Sequence, residues 1–311
     1  MENTTKECNK TTFDFEDGNG PVPAHKHPNG GGWVANTAYV ADSAYVGPNA
    51  RVFGYAQVFE NARVSGNAQV YENAQVFRNA QVSGKAQVSG NAWVFGYARV
   101  YGNAQVYGNA EVSGNARVFG NARVFGNAQV SENARVFGNA QVSGKAWVFE
   151  NARVSENAQV YGNAEVSGNA RVFGNAQVSG KAQVSGKARV FGNARVFGNA
   201  QVSGKTKISE PFKIPKIKNI DQKILNAIRS EGCSLDMDIW HSCETTHCRA
   251  GWAIHLSGKK GYDLEELVGS AEAGRLIYEK SRPKGVKTPN FHISNKSAMR
   301  SLEDDALKYS I

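Results

Sequence analysis

Every sixth residue from Val34 to Val202 is Val, and Ile208 takes the next place in the series. Thirty consecutive hexads therefore keep an aliphatic residue in phase, and no insertion interrupts them. Such a phase is useful only in a structure that grows by stacking one unit on the next, where a single inserted residue would turn every later side chain out of the core.

The unit is Asn-Ala-x-Val-(Phe/Tyr/Ser)-Gly, as in NARVFG, with Lys or Tyr at some Asn positions and Glu at some Gly positions. Ala and Val are two residues apart and share one side of an extended segment, while the residue between them and the residue after Val face the other side. Asn and Gly, which accept left-handed backbone angles, follow as a corner. Each hexad thus reads as one short strand and one turn. One Ala and one Val bury too little apolar surface alone, but stacked coils would bury a continuous column of both.

The unbroken hexads of residues 34–208 resemble the hexapeptide-repeat family, which implies a left-handed, triangular parallel β-helix with three hexads to each coil. Thirty hexads then make ten coils of eighteen residues. At a strand spacing of ~4.8 Å this is a prism roughly 50 Å long. Handedness follows from the resemblance alone, and a right-handed solenoid of the bactofilin kind stays open. Enzymes of the family, acyltransferases and a carbonic anhydrase branch, resemble one another in carrying a catalytic or metal-binding His on the coils and a long loop over the active site. Residues 34–208 hold no His, no Cys and no insertion. A non-catalytic scaffold or binding protein is expected.

Sorting positions by face, eighteen residues apart, exposes a charged column. The residue before Val on one face runs Arg63, Gln81, Arg99, Arg117, Arg135, Arg153, Arg171, Arg189 and Lys207. The residue after Val on that face includes Tyr101, Phe119, Phe137, Phe173 and Phe191, interrupted by Ser155. Cations directly across neighbouring strands repel by a few tenths of a kcal/mol or more each, so the column points to an anionic polymer that bridges it, with rings offering flat faces to bases or sugars. The alternative is a column copied by coil duplication and screened by solvent. Duplication has a signature: Trp93 and Trp147, and Glu111 and Glu165, stand 54 residues apart on a second face, and NAEVSGNARVFGNA occurs at both 109–122 and 163–176. Phe59, Phe77 and Phe95 form another aromatic ladder there, a candidate surface for self-association or an unknown protein partner.

The repeat also carries most of the net charge of +9, with 16 Lys/Arg against 8 Asp/Glu over residues 34–205. Residues 1–32 end in GPVPAHKHPNGGG and read as a flexible arm and lead-in to the solenoid of residues 33–209. The start of the chain lacks the basic and apolar regions of a signal peptide, no apolar run approaches a membrane span, and four Cys are too few for a disulfide framework; a cytoplasmic protein is expected.

Residues 210–311 change to mixed apolar and charged residues at helical spacing, a small mostly α-helical domain. IDQKILNAIRS, CRAGWAIHLSG, DLEELVG, SAEAGRLIYEKS and SNKSAMRSLEDDALKYS are its predicted helices, with Thr245 or Thr246 capping the second and Ser294 or Asn295 the last. With the diverged start GGGWVANTAYVADSAYV, this domain is read as a cap that favours a discrete particle over a filament. Residues 239–252, IWHSCETTHCRAGW, hold the densest chemistry and resemble a small domain of uncharacterised, often phage-encoded proteins. His241, Cys243, His247 and Cys248 are four candidate zinc ligands, although adjacent His247 and Cys248 diverge on a helix. Cys248 in a first helical turn is a candidate nucleophile with a dipole-lowered pKa. The third reading packs these Cys as small core residues among Trp240 and Trp252. No other cofactor is implied.

Overall fold

The computed structural model describes residues 11–210, 213–238 and 245–309. Two compact units divide the chain: the solenoid, through Phe197 with Ser203–Glu210, and a helical unit that takes in Gly198–Val202 and the residues from Pro211 onward.

In the solenoid each hexad after the first strand, Trp33–Ala35, contributes a two-residue strand ending in Val, or in Ile208, and every third strand pairs in parallel with the next, so that three sheets run along the unit. Ten coils result, as the period predicts. Gln129 N–H donates to Ala146 O at 2.9 Å and Ser131 N–H to Val148 O at 3.0 Å, and the same pair of bonds recurs coil after coil. Each coil therefore satisfies its backbone on its neighbours rather than within itself. From Ala50 to Ala200 the Ala and Val of every hexad are fully buried. At ~1.5–3 kcal/mol for each Val removed from water, stacking stabilises what one coil could not.

The corners differ from the sequence expectation. Only the Gly position takes a left-handed backbone, as at Gly120 with φ 73°. The Asn beside it spends its side chain on the next coil: Asn103, Asn121, Asn139, Asn157, Asn175 and Asn193 form an amide ladder with N–H···O distances of 3.0–3.2 Å. The corner is also crowded, since a Cβ on Gly84 would lie 2.9 Å from Gly102 N. Glu60, Glu72, Arg78, Glu132, Glu150 and Glu156 nevertheless occupy such corners at φ near 60°, a conformation that costs a non-Gly residue ~1–2 kcal/mol.

Residues 11–32, expected as a flexible arm, instead cover one end of the solenoid. Strand β1 (Thr12–Phe13) pairs antiparallel with β2 (Val22–Lys26), and β2 pairs antiparallel with β3 (Trp33–Ala35), the first strand of a solenoid sheet. Phe15, Ala24, Ala35 and Phe53 bury a small core, with Phe13 stacked on Trp33 at 4.5 Å and Phe15 on Phe53 at 4.9 Å. Two glycines of the GGG run are tight rather than loose: a Cβ on Gly30 would sit 2.3 Å from Val46 O, and one on Gly32 2.3 Å from Gly47 O. Composition alone suggests mobility there because it does not reveal that close approach.

The helical unit holds α1 (Ile220–Ile228), α2 (Arg249–His255), α3 (Lys259–Val268), α4 (Ser270–Ser281) and α5 (Asn295–Tyr309). Ser294 Oγ accepts from Ser297 N–H at 3.4 Å at the start of α5, as the sequence predicts. The start of α2 differs. Thr246 lies in a short parallel ladder with Ser234, their hydroxyls 2.9 Å apart, so the cap falls to Cys248, whose Sγ accepts from Gly251 N–H at 3.3 Å. The helix ends at His255, short of the expected Gly258.

Candidate functional site

The cationic column forms on a single sheet. Arg63, Gln81, Arg99, Arg117, Arg135, Arg153, Arg171, Arg189 and Lys207 sit in register, each opposite the next. The alternation of the strands puts Val inward and these side chains outward. Among the described residues, no ion pair and no cation–π interaction engages Arg99, Arg117, Arg135, Arg153 or Arg171. The ends of the column are quieter: the Arg63 guanidinium lies 4.5 Å over the Tyr45 ring, and Arg189 lies 5.3 and 5.7 Å from Phe173 and Phe191.

The rings beside the column correct one expectation. Tyr101, Phe119 and Phe137 stack on one another at 4.9 Å with planes within 3° of parallel, and Phe173 and Phe191 stack at 5.2 Å. They are half-buried, not exposed. Because ring spacing follows coil spacing, each ring covers its neighbour's face, and a base could stack only at a ladder end. Phe59, Phe77 and Phe95 form the same kind of closed stack on their own face, at 4.9 and 5.0 Å. Ring edges and guanidinium groups are what the cationic face presents.

On the second face, Trp93 and Trp147 remain open, 43% and 40% exposed. Trp93 is paired in register with Gln75 and Glu111, and Trp147 with Gln129 and Glu165. The Trp147 indole stacks on Phe149 at 4.3 Å and donates from Nε1 to Ser131 Oγ at 3.2 Å.

In the helical unit the Cys/His cluster is only partly within the described residues, since His241 and Cys243 lie outside them, as does Trp240. His247 and Cys248 are both 1% exposed, and the His247 ring packs against Trp252 at 4.7 Å and His255 at 4.8 Å. Burial pushes the Cys248 thiol above its ordinary pKa, against the lowering contributed by the Gly251 and Ala250 N–H groups. At Cys248, one of the three readings of this stretch, burial thus opposes the lowering expected of a thiol at a helix start. Among the described residues, no three His, Cys, Asp or Glu side chains converge as a metal site.

A cluster that the sequence does not signal lies at the centre of this unit. Arg249, fully buried, donates to Asp221 Oδ1 and Asp305 Oδ2 at 2.7 Å each, to Tyr278 Oη at 3.0 Å and to Ser301 Oγ at 3.0 Å. Arg282 grips the same two carboxylates, at 2.8 and 3.0 Å to Asp221 and 2.6 Å to Asp305. Burial works against the Asp305 charge, yet hydrogen bonds from Arg249 and Arg282 hold its carboxyl below the usual range. Burial above all pushes the Tyr278 phenol up, so it serves as a neutral acceptor. Two cations and two anions balance, and these four charged groups come from four different stretches of chain. That arrangement ties α1, α2, α4 and α5 together and leaves no spare charge for chemistry.

Comparison with known proteins agrees with the repeat. A family profile described as YdcK beta solenoid repeat matches residues 56–72, 86–102, 104–118, 116–132, 128–144, 164–180 and 188–204. No curated protein matches the chain. The solved structure of the Arabidopsis UDP-N-acetylglucosamine acyltransferase superposes on 81% of this chain and 100% of its own at 14% identity, with a TM-score of 0.33, too loose a likeness to argue from. The in-register coils and the seven matching segments together show the repeat region as a parallel β-solenoid, similar over those segments to the YdcK beta solenoid repeat.

Proposed function

We propose that the chain is a non-catalytic β-solenoid scaffold whose Arg face binds an anionic partner polymer. The observation that carries the reading is the register of Arg99, Arg117, Arg135, Arg153 and Arg171 on consecutive strands, outward and without an acidic partner among the described residues. A row of fixed cations one coil apart is unfavourable in isolation and favourable beside a chain of phosphates or carboxylates. Their backbone is held on both sides by neighbouring coils, so the charges are positioned in advance of binding. The closed ring stacks favour recognition of the partner's charge over recognition of its bases.

The test is a titration of the full chain with labelled oligo-dT, polyphosphate and hyaluronate across a salt series. Replacing Arg117, Arg135, Arg153 and Arg171 with Gln keeps the fold, since Gln already stands at Gln81 in the same column. The variant should bind more weakly, with a salt slope shallower by ~0.7–0.9 for each phosphate of a nucleic-acid probe that it no longer neutralises. Phe119→Ser should change affinity little. Absence of binding to all three probes at low salt would contradict the anionic-partner reading and leave a scaffold whose column is a solvated product of duplication.

A further inference from the structure

The open Trp positions carry an inference that does not rest on the Arg face. Trp147, Glu165, Gln129, Asn127, Asn163 and Lys145 surround a surface hollow of about 340 Å³. One side is a half-exposed indole, braced by its stack on Phe149 and by its hydrogen bond to Ser131. The rest is amides and a carboxylate, planar groups that pair with vicinal hydroxyls. Glu165 is itself steadied by Gln183 Nε2 at 3.3 Å.

The same residue types recur three coils away. Trp93 lies between Gln75 and Glu111 in the same column, as Trp147 lies between Gln129 and Glu165. Asn73 and Asn109 repeat Asn127 and Asn163, and only Lys145 differs, with Asn91 in its place. Gln is the commonest residue before Val in this column, at five of its ten strands, so the paired Trp and Glu are departures from the column's own default.

We propose that this face binds an uncharged, β-linked glycan lying along the solenoid axis, with Trp147 and Trp93 as two stacking subsites. The apolar face of an equatorially substituted pyranose lies against an open indole, and its hydroxyls reach the flanking amides and carboxylate. An extended β-linked chain advances by close to one coil per sugar, so sugars three apart meet the two Trp. Trp147, buttressed by Phe149 and Ser131, is the stronger subsite; Phe77 stands where Ser131 would be beside Trp93.

Calorimetric titration of the full chain with cellohexaose and chitohexaose, with the matching trisaccharides and with α-linked maltohexaose, tests this. One β-linked hexasaccharide should bind with an affinity independent of salt, which separates this face from the Arg column. Its trisaccharide, spanning one subsite, should bind at least about tenfold more weakly. Trp147→Gln should weaken hexasaccharide binding by about tenfold or more, and Trp93→Gln by less. Gln is the column's own residue at Gln57 and Gln183, and circular dichroism would verify that both variants keep the coil signal. The proposal is overturned if neither β-linked hexasaccharide binds, if maltohexaose binds equally well, if trimer and hexamer bind alike, or if the Trp→Gln variants bind as the parent does.

Discussion

In the coils a residue's surroundings follow from its place in a six-residue period, whereas in the helical unit they follow from partners far along the chain. Val130 is buried because it is the Val of its hexad, and its neighbours Val112 and Val148 do the same work one coil away. Arg249 is buried because Asp221, Tyr278, Ser301 and Asp305 meet it from 28 to 56 residues distant. The first kind of order is redundant and spreads along an axis; the second is concentrated at one point. Redundancy lets the outer surface vary, and the Arg and Trp columns occupy positions that the core does not constrain.

The largest effect should come from breaking the period at its centre. Val130→Asp puts an unpaired carboxylate into a dry column and should cost about 4 kcal/mol or more. Because each coil rests on its neighbours, several coils should lose strand signal together. The check is thermal unfolding followed by circular dichroism, with limited proteolysis to locate the opened coils.

Breaking the concentrated order should cost nearly as much but stay local. Arg249→Met leaves buried Asp221 and half-buried Asp305 with Arg282 alone and should destabilise the helical unit by ~3–5 kcal/mol. The double replacement Arg249→Met with Asp221→Leu should cost less than the two single effects added, because the partners couple. Denaturant melts of the three variants would measure that coupling.

The smallest effect has the opposite sign. Glu132 occupies a left-handed corner at φ 57° that Gly fills elsewhere, and Gly114 precedes it in the column. Glu132→Gly should raise stability by up to about 1 kcal/mol, relief of strain outweighing the entropy that Gly adds to the unfolded chain. A rise in melting temperature is the expected readout.

The same contrast sets what the sequence makes legible. The coil number, the inward Ala and Val, the single-face Arg column and the 54-residue duplication follow from counting, because the period fixes each residue's side. Counting does not fix how side chains of neighbouring coils meet. The rings at Phe119 and Phe137 therefore read as open platforms until their spacing is seen to close the stack, and the Asn corners read as backbone devices until their amides are seen to bond. The segment ahead of Trp33 is outside the period, and its fold depends on the close approach of Gly32 to Gly47. In the helical unit the helices are legible from spacing. The Arg249 network is not, since nothing local marks a buried Arg, whereas the burial of Cys248 matches its reading as a small core residue beside Trp252.

The central claim, that the two units are held by different means, is tested most directly by hydrogen exchange of the full chain at neutral pH and near pH 3, after correction for intrinsic rates. Asp305 has its carboxyl pKa lowered in the folded state, so the stability it contributes is complete above the unfolded value of about 3.9 and is lost as pH falls further. The coil core from Ala50 to Ala200 is Ala and Val and has nothing to titrate. Amides of α1, α2, α4 and α5 should lose protection at the acid pH while strand amides of the central coils keep theirs. Loss of protection in the central coils first, or in both units together, would contradict the account.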